Sequence, residues 1–272
     1  MTFSIVARSD DGESWGVAVA SKFLAVGSAV PAAVAGIGAI ATQADANVSF
    51  KFLALGHLDD GATAPVALER LLEDDDKRDH RQVGIVDVEG TGATHTGSEC
   101  FAWAGGVTGP GYAIQGNILA GPEVVQAMET AWLSSTGVSL ARRLSAALKA
   151  GDDAGGDSRG RQAAALLVVK DGAGYGGLDD VAADLRVDDH ADPVTELARL
   201  LDLNDLYLTA STDEEKLPID DALRDELDER ARAGGRADFH AWVGSENYEM
   251  RVAEDYSWID RRVLDIIRGE QV

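Results

Sequence analysis

The opening stretch MTFSIVARSDDGESWGVAVASK constrains the fold of this chain more than any other segment. Polarity alternates through residues 3–8 and 15–21 on either side of the turn SDDGES, the pattern of a β-hairpin. A turn centred between Asp11 and Gly12 sets Thr2 opposite Ser21, with Lys22 beside it. Side chains alternate between faces, so Thr2, Ser4 and Ser21 share one face and gather three hydroxyls at one end of a sheet.

The rest of the chain reads as groups of strands separated by pairs of helices. Residues 25–30 and 36–42 predict a second pair of short strands, followed by helices over 48–58 and 64–73 with Pro65 in the first turn of the latter. Strands are expected at 81–88, 93–96, 100–104 and 112–117, then helices at 122–133 and 139–150. Further strands at 162–169 and 183–187 lead into a helix over 193–203, with Asp192 as its cap and Pro193 in its first position. This order argues for antiparallel sheets with helices outside them. The segments around Ala18, Ile40 and Leu167 are apolar on both faces, as strands are when two sheets pack together. The expected fold is α+β: a four-layer α/β/β/α sandwich of two antiparallel sheets over residues 1–211. A linker, STDEEKLP, then leads to a small helical appendage over 212–272, with a charged helix at 219–233.

Charge excludes one class of partner. The chain carries 47 acidic against 24 basic residues, a formal net charge of −23, and only six of the basic residues are lysine. Such a field repels phosphate backbones, so no nucleic-acid partner is expected. Abundant aspartate with arginine favoured over lysine suits a halophilic surface. No apolar run reaches the roughly 18 residues of a membrane span, and no basic segment followed by an apolar one opens the chain, so a cytoplasmic protein is expected. The single cysteine, Cys100, excludes an internal disulfide and reads as a small buried residue. His57, His80, His95 and His240 show no ligand spacing, and DDHADP is accounted for by the helix start at Asp192; no metal site is expected.

Thr2 invites a chemical reading. If Met1 is removed, Thr2 carries a nucleophilic hydroxyl and a free α-amine that titrates near pH ~8 and can act as its own general base. The other reading is a threonine placed in a first strand as a β-former. Gln115 and Asn117 bracket Gly116 at a strand end, where their carboxamides either bind a substrate amide or bond to their own backbone. GGDSRGRQ places Arg159, Arg161 and Gln162 before an apolar strand. The two guanidiniums are either a clamp for a substrate carboxylate or partners for Asp152, Asp153 and Asp157.

The blocks MTFSIVAR, GVAVASKFLAVG, ATQADANVS, RQVGIVD, QGNILAGPEVV, GDSRGRQAAALLVV and LRVDDHADPV resemble, in order over residues 1–208, an uncharacterised family classed as N-terminal-nucleophile (Ntn) hydrolase-like, a domain of unknown function. The resemblance implies the α/β/β/α sandwich. Within that superfamily the chain is also similar to a proteasome β-type subunit, which implies Thr2 as nucleophile and a backbone N–H of the ATQADAN loop as oxyanion donor, assigned to Gln43 with Asn47 bracing the loop. It departs from that pattern in three respects: Ala20 and Ser21 stand where an aspartate ends the second strand; no lysine occurs between Lys22 and Lys51, so Lys22 is the candidate to tune the amine; and the loop ATQADAN has no glycine where the oxyanion loop is glycine-rich. The expected activity is hydrolysis of a small polar amide or acylated amino compound, with no cofactor, by a homo-oligomer. The rival is a non-catalytic scaffold or ligand-binding protein analogous to proteasome α-type subunits. The end of the chain resembles a C-terminal extension assigned to peptidoglycan binding; Trp242, Tyr248, Tyr256 and Trp258 read instead as the small core of the appendage.

Overall fold

The computed structural model describes residues 2–269. The chain divides between Leu201 and Asp202 into two compact units. The first contains β1 (Thr2–Arg8), β2 (Ser14–Ser21), α1 (Val26–Ala29), β3 (Pro31–Val34), β4 (Gly38–Ala44), α2 (Phe50–Asp59), α3 (Ala64–Glu73), β5 (Arg81–Asp87), β6 (Gly92–Thr96), β7 (Gly105–Gly109) and β8 (Tyr112–Asn117). It continues through α4 (Glu123–Ser134), α5 (Leu140–Asp153), β9 (Ala163–Lys170), β10 (Val181–Val187) and the start of α6 (Pro193–Tyr207). The strands form a six-stranded sheet in the order β10-β9-β2-β1-β8-β7 and a four-stranded sheet β3-β4-β5-β6. Every pairing in the two sheets is antiparallel. The opening hairpin has the register its turn predicts, Phe3↔Ala20 through Arg8↔Trp15.

Alternation along the strands assigns each face. Phe3, Ile5 and Ala7 of β1 pack with Met128 of α4 and Leu144 and Leu148 of α5. Val6, Val17 and Val19, on the other face of the same sheet, share a cluster with Ala39, Ala41 and Val86 of the four-stranded sheet. The remaining face of that sheet presents Ile40, Val83 and Ile85 to Ala54 and Leu58 of α2 and to Leu68 and Leu71 of α3. Full burial of each large aliphatic or aromatic side chain stabilises by roughly 1.5–3 kcal/mol, so these three interfaces supply the driving force that makes the first unit cohere.

Two expected strands are absent. In place of a strand at 25–30 the chain forms the short helix α1, Val26–Ala29, entered through a left-handed Ala25 (φ 52°). A Cβ on Gly27 would stand 2.6 Å from the Ala165 Cβ, so it is the small side chains that let this turn lie on β9. Residues 100–104 are also not a strand; the edge strand is β7, immediately after them. Its glycines, Gly105, Gly106 and Gly109, weaken the strand pattern, whereas the preceding Phe101, which suggested one, is 75% exposed.

The second unit holds β11 (Lys216–Pro218), α7 (Asp221–Ala233), α8 (Phe239–Glu246), β12 (Trp258–Asp260) and α9 (Arg261–Arg268). Asp220, Asp238 and Asp260 cap the three helices, each accepting a backbone N–H at 2.8 Å. The core gathers Leu227, Phe239, Val243, Tyr248, Ile259 and Val263, with Trp242 and Tyr256 packed against it. Tyr248 stacks on Tyr207 and Trp242 with ring centroids 5.5 and 5.2 Å away, and Trp258 lies under the Lys216 ammonium at 5.0 Å. At the centre, the fully buried Arg251 and Asp260 pair at 2.8 Å. Ser211 donates to the same carboxylate at 2.6 Å and accepts from Arg251 at 3.2 Å. Ser211, expected to close the first domain, therefore belongs to the second unit, and the division lies upstream of it, inside α6.

Breaking a buried pair leaves an uncompensated charge. Arg251→Ala is expected to destabilise the second unit by about 3–5 kcal/mol, read as a lower urea midpoint. A pH effect follows from Glu226, whose bonds to Arg268 and Arg230 hold its carboxyl down to about 2 from the ordinary 4.5. Its folded value is depressed, so its contribution is complete above pH 4.5 and is lost as pH falls towards 2. The stability difference between wild type and Glu226→Gln should accordingly shrink across that interval and vanish only below it.

Candidate active site

The face between the two sheets changes character along the strands. At one end it is the valine and alanine cluster described above; at the end that starts with Thr2 it is polar. Thr2 and Ser4 of β1, Ser21 of β2, Gln43 of β4, Gln82 of β5, and Gln115 and Asn117 of β8 are all buried. They are there because each stands on the alternate positions that, further along its strand, carry the apolar contacts between the sheets.

Buried polar groups need partners, and these supply one another. The Gln82 Oε1 accepts from Gln43 Nε2 and from Asn117 Nδ2, both at 2.8 Å. Gln82 Nε2 donates to the Gly116 carbonyl at 2.7 Å and to Thr96 Oγ1 at 2.9 Å. Ser4 Oγ donates to Gln43 Oε1 at 2.7 Å and accepts from Gln115 Nε2 at 2.7 Å. Gly84 makes room for this last carboxamide, since a Cβ there would stand 2.1 Å from Gln115 Oε1. The network reaches Thr2 from two sides: Gln43 Nε2 donates to its carbonyl at 3.3 Å and Asn117 Nδ2 at 3.5 Å. The Thr2 hydroxyl lies 3.1 Å from Ser21 Oγ.

Next to this end is a cavity of about 250 Å³ lined by Asn117, Ile118, Ala44, Asp45, Glu99, Phe101 and Arg159, among others. Asn117 is the register partner of Thr2 in β8. Two of the lining residues, Ala44 (φ 70°) and Ile118 (φ 49°), are left-handed without being glycine. Each directly follows a network carboxamide, Gln43 or Asn117, and each such conformation costs of order 1–3 kcal/mol, a strain typical of functional sites.

The structure thus brings together Thr2, Ser21, Gln43, Gln115 and Asn117, sets Arg159 on the wall of the adjoining cavity, and engages the other candidates in contacts outside the cluster. Lys22 donates its backbone N–H to Asp157 Oδ2 at 2.7 Å and its ammonium to the Arg161 carbonyl at 3.3 Å. Arg159 pairs with Asp157 at 3.2 Å and Arg161 with Asp152 at 2.8 Å. Gln162 donates to Asp189 at 3.1 Å. Asn47 accepts from the Ser49 backbone and hydroxyl at 3.2 and 2.6 Å, forming the turn into α2. Burial pushes the Cys100 thiol up, and its Sγ donates to the Arg81 carbonyl at 3.4 Å, which suits an inert thiol. Gln82, the hub, is the residue that sequence reasoning missed. A carboxamide beside the apolar run VGIV, on the same face as Val86, was the available signal.

A mixed α+β unit whose first strand lies inside a six-stranded antiparallel sheet, with a buried polar cluster where that strand begins, is the class these observations define. The chain belongs to the family of unknown function DUF1028, whose model matches residues 2–197. It is similar to a DUF1028 protein from Silicibacter pomeroyi known from a crystal structure, at 30% identity and a TM-score of 0.68, over 78% of this chain and 90% of that one. No curated protein matches the chain.

Removing the hub tests the network. Gln82→Leu takes the shared Oε1 acceptor from Gln43 and Asn117, leaving each only its backbone-carbonyl contacts, at about 1–3 kcal/mol for each buried N–H left unsatisfied. The expected result is a fall in the urea midpoint with an unchanged slope; an unaltered midpoint would contradict the assigned hydrogen bonds.

Proposed function

We propose that the protein is an Ntn-type amide hydrolase, built as an α/β/β/α sandwich, in which Thr2 becomes the nucleophile once Met1 is removed. Met1 itself lies outside the described residues. The substrate is a small polar amide or acylated amino compound, held in the cavity beside Asn117. The observation that carries this reading is the fixation of Thr2 at the start of an interior strand. Its hydroxyl is bonded to Ser21 and its carbonyl is held by two carboxamides.

In the reaction the Thr2 hydroxyl oxygen attacks the amide carbon while its proton passes to the Thr2 α-amine. The tetrahedral intermediate collapses by cleavage of the C–N bond, and the ammonium returns the proton to the leaving amine. Water then attacks the resulting ester, again losing a proton to the amine, and releases the acid and free Thr2. Ser21 orients the attacking oxygen. Because the polar atoms of Gln43, Gln115 and Asn117 are bonded within the network, they support the nucleophile's strand rather than touch substrate. The backbone that turns left-handed at Ala44, directly after Gln43, is the candidate source of the oxyanion donor. The Lys22 ammonium, bonded to the Arg161 carbonyl, holds the neighbouring turn.

One observation favours a second reading, that of a non-catalytic ligand-binding protein: Thr2 is only 6% exposed. Acylation separates the two. Incubation with a β-lactone followed by peptide mapping should place one acyl group on Thr2 and none on the Thr2→Ala variant, and Ser21→Ala should slow the reaction by about tenfold or more. Equal labelling of Thr2→Ala would overturn the hydrolase reading.

A further inference from the structure

The walls of the cavity beside Thr2 carry charges of both signs, contributed by different sheets. Asp45 directly follows β4, and Glu99 lies in the loop after β6, both in the four-stranded sheet. Arg159 comes from the other sheet's side, on the turn between α5 and β9. Its side chain is 44% exposed and its guanidinium is braced by the buried Asp157, which also accepts the Arg159 and Lys22 backbone N–H groups at 2.9 and 2.7 Å. Asp45 is itself 61% exposed and lies 3.4 Å from Arg81. Ala44, Cys100, Asn117 and Ile118 form the neutral part of the lining, His80 stands beside the acidic wall, and the exposed Phe101 ring adds an apolar surface.

We infer that this cavity takes a small zwitterion, a carboxylate at one end and an ammonium at the other with an amide between them, as in a dipeptide. A ligand with only a carboxylate meets Asp45 and Glu99 as well as Arg159 and enters against the field of a chain of net charge −23. A ligand with only an ammonium leaves the Arg159 guanidinium without an anionic contact from the bound molecule. A zwitterion has no net charge to be repelled and satisfies both walls, and discrimination against each half-ligand comes from the wall it fails to match. At about 250 Å³ the cavity is below the usual range for drug-sized ligands, which fits a molecule of two small residues. As a statement about substrate, this rests on the Thr2 reading; as a statement about binding, it does not.

The test uses three probes of one shape: glycylglycine, N-acetylglycine, which lacks the ammonium, and glycine N-methylamide, which lacks the carboxylate. Each is titrated into the full chain and into Thr2→Ala, with binding followed by the backbone amide signals of Ala44, Asn117 and Ile118. Glycylglycine is expected to bind at least about tenfold more tightly than either analogue. Arg159→Ala should bring it level with glycine N-methylamide, and the double variant Asp45→Asn, Glu99→Gln level with N-acetylglycine. Unchanged amide signals elsewhere in each variant verify its fold. Equal affinity for all three probes, shifts confined to other residues, or no binding would overturn the inference. The two proposals fail separately: acylation of Thr2 without zwitterion preference removes only the ligand class, and zwitterion preference with an inert Thr2 removes only the catalysis.

Discussion

The hydrogen bonds that join Gln82 to Asn117 and the Gly116 carbonyl, and Gln43 to Ser4 and the Thr2 carbonyl, cross between the two sheets and hold them in one arrangement at the Thr2 end. Apolar packing between sheets is tolerant of sliding, because methyl groups have no directional partners. A carboxamide is not tolerant: each of its donors and acceptors must meet a specific atom or remain unpaired in a low dielectric. Within the four-stranded sheet Gln82 is itself fixed by bonds to Gln43 of β4 and Thr96 of β6, so the cross-sheet bonds start from a rigid hub. A shift of either sheet would break several of these bonds at once. The inter-sheet layer therefore combines a valine and alanine half that supplies free energy with a carboxamide half that sets position.

The position set in this way is that of Thr2. Its main chain is gripped by the network, its hydroxyl is bonded to Ser21, and the strained Ala44 and Ile118 flank the cavity where the network ends. Around this neutral core the charged groups are anchored to one another, Arg159 and the Lys22 backbone on Asp157 and Arg161 on Asp152. This separation has a chemical consequence. The groups close to Thr2 are hydroxyls and carboxamides, which titrate at no physiological pH, so proton transfer in the proposed reaction falls to the α-amine.

Much of the first unit could be read from periodicity. The turn SDDGES fixed the hairpin register, and with it the meeting of Thr2 and Ser21, because a two-residue period leaves one solution once the turn is placed. Gln115 and Asn117 stood out as carboxamides at a strand end and Gln43 for its backbone N–H, yet the roles of all three as mutual partners depend on which strands become neighbours across the sheets. Local pattern carries no information on that pairing. For the same reason Gln82 escaped notice, and Arg161 and Gln162 looked available for a ligand when Asp152 and Asp189 already bond to them. Among the missed elements, α1, β3 and β7 are short and rich in alanine, glycine and other small residues, whose weak patterns leave the decision to tertiary contact. In the second unit, Ser211 and the Arg251–Asp260 pair are brought together from distant parts of the chain, so linker composition alone misplaced the boundary.

The proposed chemistry requires that one nitrogen be free. The most direct measurement is N-terminal mass spectrometry of the chain isolated from its native cell. The account predicts that the first residue is Thr2 with an unmodified α-amine. A chain that retains Met1, or whose Thr2 amine is blocked, would contradict it and leave the polar cluster as a structural device alone.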